Sequence, residues 1–156
     1  MKLLFVEDDD DKASKILTHI INIDASIDLI RTKSFTSALQ ALVHQSAEID
    51  GVILDMSMPN YDDSREPPEN FAGRDLLRQC KLRKITKPTF VVTMLDSFGA
   101  AGAQLTLEQL DSQLSEEFSP AYLGIVYYSS TQESWKSQLS AKIDIICEIK
   151  REITNR

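Results

Sequence analysis

Residues 51–59 read GVILDMSMP, a short apolar run that ends in an aspartate and then in a chain-breaking Met-Pro pair. The run from Gly51 to Leu54 has the length and the continuous apolar character of a strand buried on both faces. Leu3 to Val6 and Thr89 to Val92 have the same character, so the pattern predicts three interior strands. Parallel strands of this kind require crossover connections, which are usually helices.

The segment after the first strand has helical spacing. Its apolar positions are Ala13, Ile16, Leu17, Ile20 and Ile21, which predict a helix over about 11–23. Lys12, Lys15 and His19 are interpreted as the polar positions between them. The chain therefore begins with a strand followed directly by a helix.

The remaining pattern predicts four more alternations. We expect further strands at 28–32 and at Tyr122–Tyr128. Helices are expected behind an N-cap at Ser34 or Thr36, near 73–84, and from Leu107 to a point before Ser119-Pro120. A last helix is expected from Glu133 to about Ile153, behind the polar start Ser129-Ser130-Thr131. Five strands alternating with five helices predict an α/β fold with a flavodoxin-like, doubly wound, five-stranded parallel sheet in the order 2-1-3-4-5. Residues 1–156 are expected to form a single domain, with least order in the loops around 59–72 and 94–104.

Composition excludes several classes of function. The net charge is −7, from 17 Lys and Arg against 24 Asp and Glu, and it opposes the phosphate backbone, so no direct nucleic-acid partner is expected. Cys80 and Cys147 are too few for a disulfide framework or a zinc site. The apolar run at 3–6 is too short for a signal sequence or a membrane span, so we expect a cytoplasmic protein.

Carboxylates gather at the predicted carboxyl ends of the strands, where such sheets carry their functional crevice. Glu7 and Asp8 follow the first strand, Asp55 follows the third, and Thr93 ends the fourth. Hard oxygen ligands in this arrangement suit Mg2+. The neighbouring acids, Asp9 to Asp11, have a simpler interpretation as the cap and first turn of the first helix, and we prefer it for the last two.

Three segments carry a resemblance to a family: LLFVED at 3–8, VILDMSMP at 52–59 and VVT at 91–93. In this order they resemble the receiver domain of two-component response regulators, over about residues 1–150. The resemblance implies that Asp55 accepts a phosphoryl group from a histidine kinase or phosphotransfer protein, by nucleophilic attack of its carboxylate. Such a protein takes part in a phosphorelay and turns over no separate substrate.

The resemblance also implies roles for the surrounding residues. Asp8 would bind Mg2+ directly, Glu7 largely through water, and Asp55 through a carboxylate oxygen, while Ser57 would supply its backbone carbonyl. Thr93 would donate a hydrogen bond to the phosphoryl group, although a strand-end threonine can also cap the next turn. Output would pass through a surface around the fourth helix, the fifth strand and the last helix to a downstream protein partner, and the oligomeric state stays open.

One member of the family pattern is missing. Receiver domains are expected to carry a lysine at the end of the fifth strand, where this chain has Tyr127, or Tyr128 if the register shifts by one. A phenol donates a hydrogen bond but brings no positive charge. Arg65 or Arg74 could supply the cation, and the alternative is a pseudo-receiver that binds partners without being phosphorylated.

Other strand-end aspartate sites fit less well. A haloacid-dehalogenase-type phosphatase needs a second aspartate at the position of Ser57, and the same residue argues against a Toprim-type site. A dinucleotide site needs a Gly-rich turn after the first strand, and this chain has five acids there.

Overall fold

The structure, a computed structural model, describes residues 1–100 and 102–156. Its strands are β1 (Lys2–Val6), β2 (Asp28–Thr32), β3 (Gly51–Leu54), β4 (Thr89–Thr93), β5 (Ser97–Phe98), β6 (Leu105–Thr106) and β7 (Tyr122–Tyr127). Its helices are α1 (Asp10–Ile23), α2 (Phe35–His44), α3 (Ala72–Leu82), α4 (Leu107–Phe118) and α5 (Ser134–Thr154). Where the sequence pattern predicted bounds, the elements lie within two residues of them.

Five strands form one sheet in the order β2-β1-β3-β4-β7, and all neighbours in it are parallel. Since β7 is the predicted fifth strand, the expected flavodoxin-like order is confirmed. Val6 pairs with Leu54, and Thr93 pairs with Tyr127, so the carboxyl ends of the central strands finish at a common edge. Residues that follow these strands are therefore placed side by side.

Helices cover both faces of the sheet and enclose two apolar layers. In β1, Leu4 and Val6 face the layer that α2, α3 and α4 complete, whereas Leu3 and Phe5 face α1 and α5. The alternation follows from the twofold period of a strand and explains why the interior strands are apolar at every position. No helix in the described part of the chain is long and apolar enough to cross a membrane.

Side-chain caps set where most helices begin. Asp9 accepts the backbone N–H of Lys12 and starts α1. Ser34, rather than Thr36, caps α2 in a capping box with Ser37. Helix α5 begins behind the Ser/Thr-rich segment, as expected, but that segment does not cap it. The N-cap is Glu133, without a side-chain hydrogen bond, and the hydroxyls of Ser129 and Thr131 bond each other in the preceding loop.

The two long loops have more structure than expected. In the first, the backbone N–H groups of Phe35 and Thr36 donate to the carbonyls of Pro59 and Asn60, which fixes the loop against the start of α2. In the second, β5 and β6 form a short antiparallel pair. Of the predicted loop at 94–104, Ala101 lies outside the described residues.

Candidate functional site

Three carboxylates meet at the carboxyl edge of the sheet. Glu7 and Asp8 leave β1 and Asp55 leaves β3, and one ligand oxygen from each lies within 4.8 Å of the other two. The N–H of Asp55 donates to the carbonyl of Val6 at 3.0 Å, which continues the strand pairing into the site. The register of two neighbouring strands thus brings together the acids that the sequence placed at separate strand ends.

The two acids of β1 have different environments. Glu7 is 1% exposed, and burial together with the negative charge of Asp55 raises its pKa from 4.5 to about 8, against the opposing effect of Lys12. Asp8 is half-buried, and its pKa is raised by burial and, to a smaller extent, by Asp55. Both carboxyls therefore bind protons more tightly than free side chains, as expected for buried acids that also lie beside another negative charge.

Lys12 is the residue of this site that the sequence reading missed. The helical spacing predicts only a polar position between apolar ones, but Lys12 is 2% exposed. Its Nζ donates to the carbonyl of Val92 at 2.8 Å, and lies 2.5 Å from Oε1 of Glu7 and 3.4 Å from Oδ2 of Asp55. Three acceptors surround the three N–H groups of the ammonium, so the buried charge is paired.

Helix geometry explains how a residue of α1 enters the site. The cap at Asp9 makes Lys12 the third residue of the helix, and helical side chains lean toward the N-terminus of their own helix. The N-terminus of α1 follows β1 directly, so this lean points Lys12 at the carboxyl edge of the sheet. The burial of Lys12 has one signal in the sequence, its helical spacing. Lys12 precedes the buried Ile16 and Ile20 by four and eight residues and so lies on the same face of the helix.

The remaining predicted residues occupy more local positions. Thr93 is fully buried at the end of β4, and its Oγ1 accepts the N–H of Leu95 at 3.2 Å, which is the turn-capping arrangement. Ser57 is half-buried in the turn that follows Asp55. Oδ1 of Asp55 accepts the N–H of Met56 at 2.7 Å, so one carboxylate oxygen is held by the backbone while the other faces Lys12.

The two tyrosines at the carboxyl end of β7 differ in burial. Tyr127 is 41% exposed, whereas Tyr128 is buried in the α1 and α5 layer with its ring 5.0 Å from that of Trp135. Burial raises the pKa of Tyr128, and the nearby charge of Lys12 opposes the increase. Of the two tyrosines considered for the lysine position, Tyr127 pairs with Thr93 in the sheet and is exposed, whereas Tyr128 is buried.

Neither arginine considered as a substitute cation pairs with Asp55 in the described structure. Arg65 is exposed in the loop. The guanidinium of Arg74 stacks over the ring of Phe71, 4.1 Å from its centroid. Among the described residues, Lys12 is the only lysine or arginine that forms an ion pair with Asp55.

Helix α3 approaches the turn after β3 closely. The N–H of Gly73 donates to the carbonyl of Met56 at 2.9 Å. A Cβ at position 73 would lie 2.6 Å from the backbone oxygen of Asp55 and 3.0 Å from Cα of Met56, distances that only glycine accommodates. The start of α3 is thus packed directly on the turn that carries Asp55.

The site can hold a divalent cation of the Mg2+ type. Its donor set is entirely carboxylate oxygen, which suits a hard cation. Apart from the ammonium of Lys12, Oε1 of Glu7 has no hydrogen-bond donor among the described residues. The formal charge is −3 from Glu7, Asp8 and Asp55 and +1 from Lys12, which leaves −2 to be balanced.

This fold and this strand-end acidic site define a receiver domain, and similar proteins agree. No family model matches the chain. It is 34% identical over 149 residues to the Detocs response regulatory protein DtcB of Enterobacter cloacae (strain JD6301), covering 92% of this chain and 98% of that protein. It is also 30% identical over 148 residues to the uncharacterized protein y4jR of Sinorhizobium fredii (strain NBRC 101917 / NGR234), covering 89% and 94%.

A solved structure gives the same fold. The receiver domain of the Francisella response regulator 1452 superposes with a TM-score of 0.63 at 18% identity, covering 96% of this chain and 98% of that one. The chain belongs to the response-regulator receiver family. A role in phosphorelay signalling, in general terms, follows from that membership.

Proposed function

We propose that this protein accepts a phosphoryl group on Asp55 from a histidine kinase or phosphotransfer protein, with Mg2+, and signals through a partner-binding surface. The observation that carries the proposal is the position of Asp55. Its carboxylate follows an interior strand, lies within 4.8 Å of the ligand oxygens of Glu7 and Asp8, and is only 13% exposed. A phosphoacceptor needs a positioned nucleophile with charge compensation close by.

Phosphoryl transfer to Asp55 requires mainly that the protein position the reacting groups. An oxygen of Asp55 forms the bond to phosphorus as the bond from phosphorus to the donor nitrogen breaks, and that nitrogen keeps the electron pair and is protonated. The N–H of Met56 holds Oδ1 and so orients the carboxylate. When bound, Mg2+ would supply charge neutralisation for the phosphoryl oxygens, with Asp8 and Asp55 as the carboxylates best exposed to hold it.

Thr93 and Ser57 keep the roles that the family resemblance implies, as part of the same proposal. To donate to a phosphoryl oxygen, the Thr93 hydroxyl would direct its proton outward while its oxygen still accepts from Leu95. The two requirements are compatible, because a hydroxyl donates and accepts at the same time. Downstream, the proposed contact surface lies around α4, β7 and α5.

The direct test is phosphoryl incorporation from a small donor such as phosphoramidate, with and without Mg2+. We expect labelling of the wild-type chain that needs Mg2+ and is abolished in Asp55→Asn. Asp11→Asn is the matched control, because Asp11 is an exposed acid in the first turn of α1. If the wild-type chain shows no labelling that depends on Asp55, the alternative of a non-phosphorylated interaction module is favoured instead.

A further inference from the structure

We propose that Lys12, carried by α1, is the positive charge partner of Asp55 in phosphoryl transfer, in place of a lysine at the end of the fifth sheet strand. This inference rests on the proposed function of Asp55. It assigns a role to a residue that the sequence pattern places among the polar positions of α1. The argument depends on where the ammonium lies, on what holds it there, and on which other cations reach the same carboxylate.

The position of the ammonium fits the role. Nζ of Lys12 lies 3.4 Å from Oδ2 of Asp55, on the carboxylate oxygen that the backbone does not hold. At this distance the two charges attract without a short hydrogen bond, so the ammonium can follow a phosphoryl oxygen that forms on Asp55. A preorganised cation stabilises developing charge most where water is excluded, and Lys12 is 2% exposed.

The surrounding contacts hold the ammonium in place. The carbonyl of Val92 accepts its hydrogen bond, and Glu7 supplies a buried counter-charge. Burying a lysine is costly, and a buried ion pair often adds little stability compared with apolar residues of similar size. The position is also the third of a helix whose next two turns place Ile16 and Ile20 on the same buried face.

The other candidates lack either a positive charge or an ion pair with Asp55 among the described residues. Tyr127 ends β7 and Tyr128 follows it, and neither side chain carries a positive charge. Arg74 stacks on Phe71, and Arg65 is exposed in the loop. Within residues 1–100 and 102–156, Lys12 alone among lysines and arginines forms an ion pair with Asp55.

A charge-partner role and a merely structural role predict different combinations of effects. Removing the ammonium changes the formal charge of the cluster from −2 to −3, so Mg2+ should bind at least as tightly as before. The same change should slow phosphoryl transfer, because the charge that meets the phosphoryl group is lost. If Lys12 only supported the fold, its loss would weaken metal binding and slow transfer together.

The experiment uses Lys12→Gln, which retains a donor for the carbonyl of Val92, and Lys12→Met, which retains only the length of the side chain. Lys15→Gln is the matched control, because Lys15 is exposed on the same helix. For each chain, the rate of labelling by phosphoramidate is measured at saturating Mg2+, and Mg2+ affinity by calorimetry. We expect both Lys12 variants to be labelled at least about tenfold more slowly than the control, with unchanged or tighter Mg2+ binding.

Three outcomes would overturn the inference. Labelling of the Lys12 variants within twofold of Lys15→Gln removes the role of Lys12 and leaves phosphorylation of Asp55 intact. Slower labelling accompanied by weaker Mg2+ binding in both variants assigns Lys12 a structural role only. Absence of Asp55-dependent labelling in the wild-type chain removes the proposed function and this inference together, so the two failures are distinguishable.

Discussion

Mg2+ should stabilise this protein, and the stabilisation should grow with pH. The pKa of Glu7 is raised in the folded state, from 4.5 to about 8. A carboxyl with a raised folded pKa contributes stability that is fully present below the unfolded value and is lost as pH rises through the folded value. Without metal, this group alone therefore lowers the free energy of unfolding by on the order of a few kcal/mol between about pH 4.5 and 8.

Mg2+ should raise the free energy of unfolding as pH rises, because it binds the ionised carboxylates of the folded protein. At a free Mg2+ concentration about ten times the dissociation constant, the linkage relation gives about 1.4 kcal/mol of stabilisation. For a chain of this length, that corresponds to a rise in Tm of roughly 3–6 °C. At mildly acidic pH, protons on Glu7 and Asp8 compete with the metal, and the rise should shrink.

The assay is thermal unfolding followed by circular dichroism, with and without Mg2+, over a series of pH values. Asp8→Asn removes a proposed ligand and should lose most of the rise, whereas Asp11→Asn should keep it. Equal Mg2+ effects in Asp8→Asn and the wild-type chain would refute the site. A rise that does not change with pH would refute the link to the raised carboxyl pKa values.

Three further substitutions test how the site and its scaffold are packed. Gly73→Ala should destabilise the fold by about 1–3 kcal/mol in chemical denaturation, because its Cβ would lie 2.6 Å from the backbone oxygen of Asp55; an unchanged midpoint would contradict this close approach. Thr106→Ala removes the side-chain cap of α4 and should cost about 1 kcal/mol, with no loss if the cap is absent in solution. Tyr122→Phe removes the hydrogen bond to Asp111 at 2.5 Å and should also cost about 1 kcal/mol, and stability equal to the wild type would argue against that bond.

The sheet could be predicted because each strand and helix has a recognisable pattern within its own short stretch of sequence. Continuous apolar runs at β1, β3 and β4 mark interior strands, and helical spacing fills the connections, so the order of the sheet follows from general rules of α/β topology. The acids at Glu7, Asp8 and Asp55 could be found for the same reason, because residues that follow parallel strands share an edge. The β5–β6 pair was missed because two-residue strands carry too little pattern to detect.

Lys12 could not be assigned from residue type alone. Lysine is usually exposed, and one that follows a run of acids in the first turn of a helix has an ordinary explanation as a surface residue. Its burial depends on the lean of helical side chains and on two carboxylates and a carbonyl contributed by β1, β3 and β4. Only the folded structure brings these groups together, although the sequence does show that Lys12 has the spacing of the buried face formed by Ile16 and Ile20.

The ammonium group beside Asp55 belongs to a residue of α1, and this location matters for how receiver domains are classified. A receiver without a lysine after its fifth sheet strand is readily labelled degenerate. Here a lysine four residues after Asp8 forms an ion pair with Asp55 from the opposite end of the sequence. Surveys of apparently inactive receivers should therefore examine the first helix for a lysine at this offset, since a charge lost from one element can be restored by another.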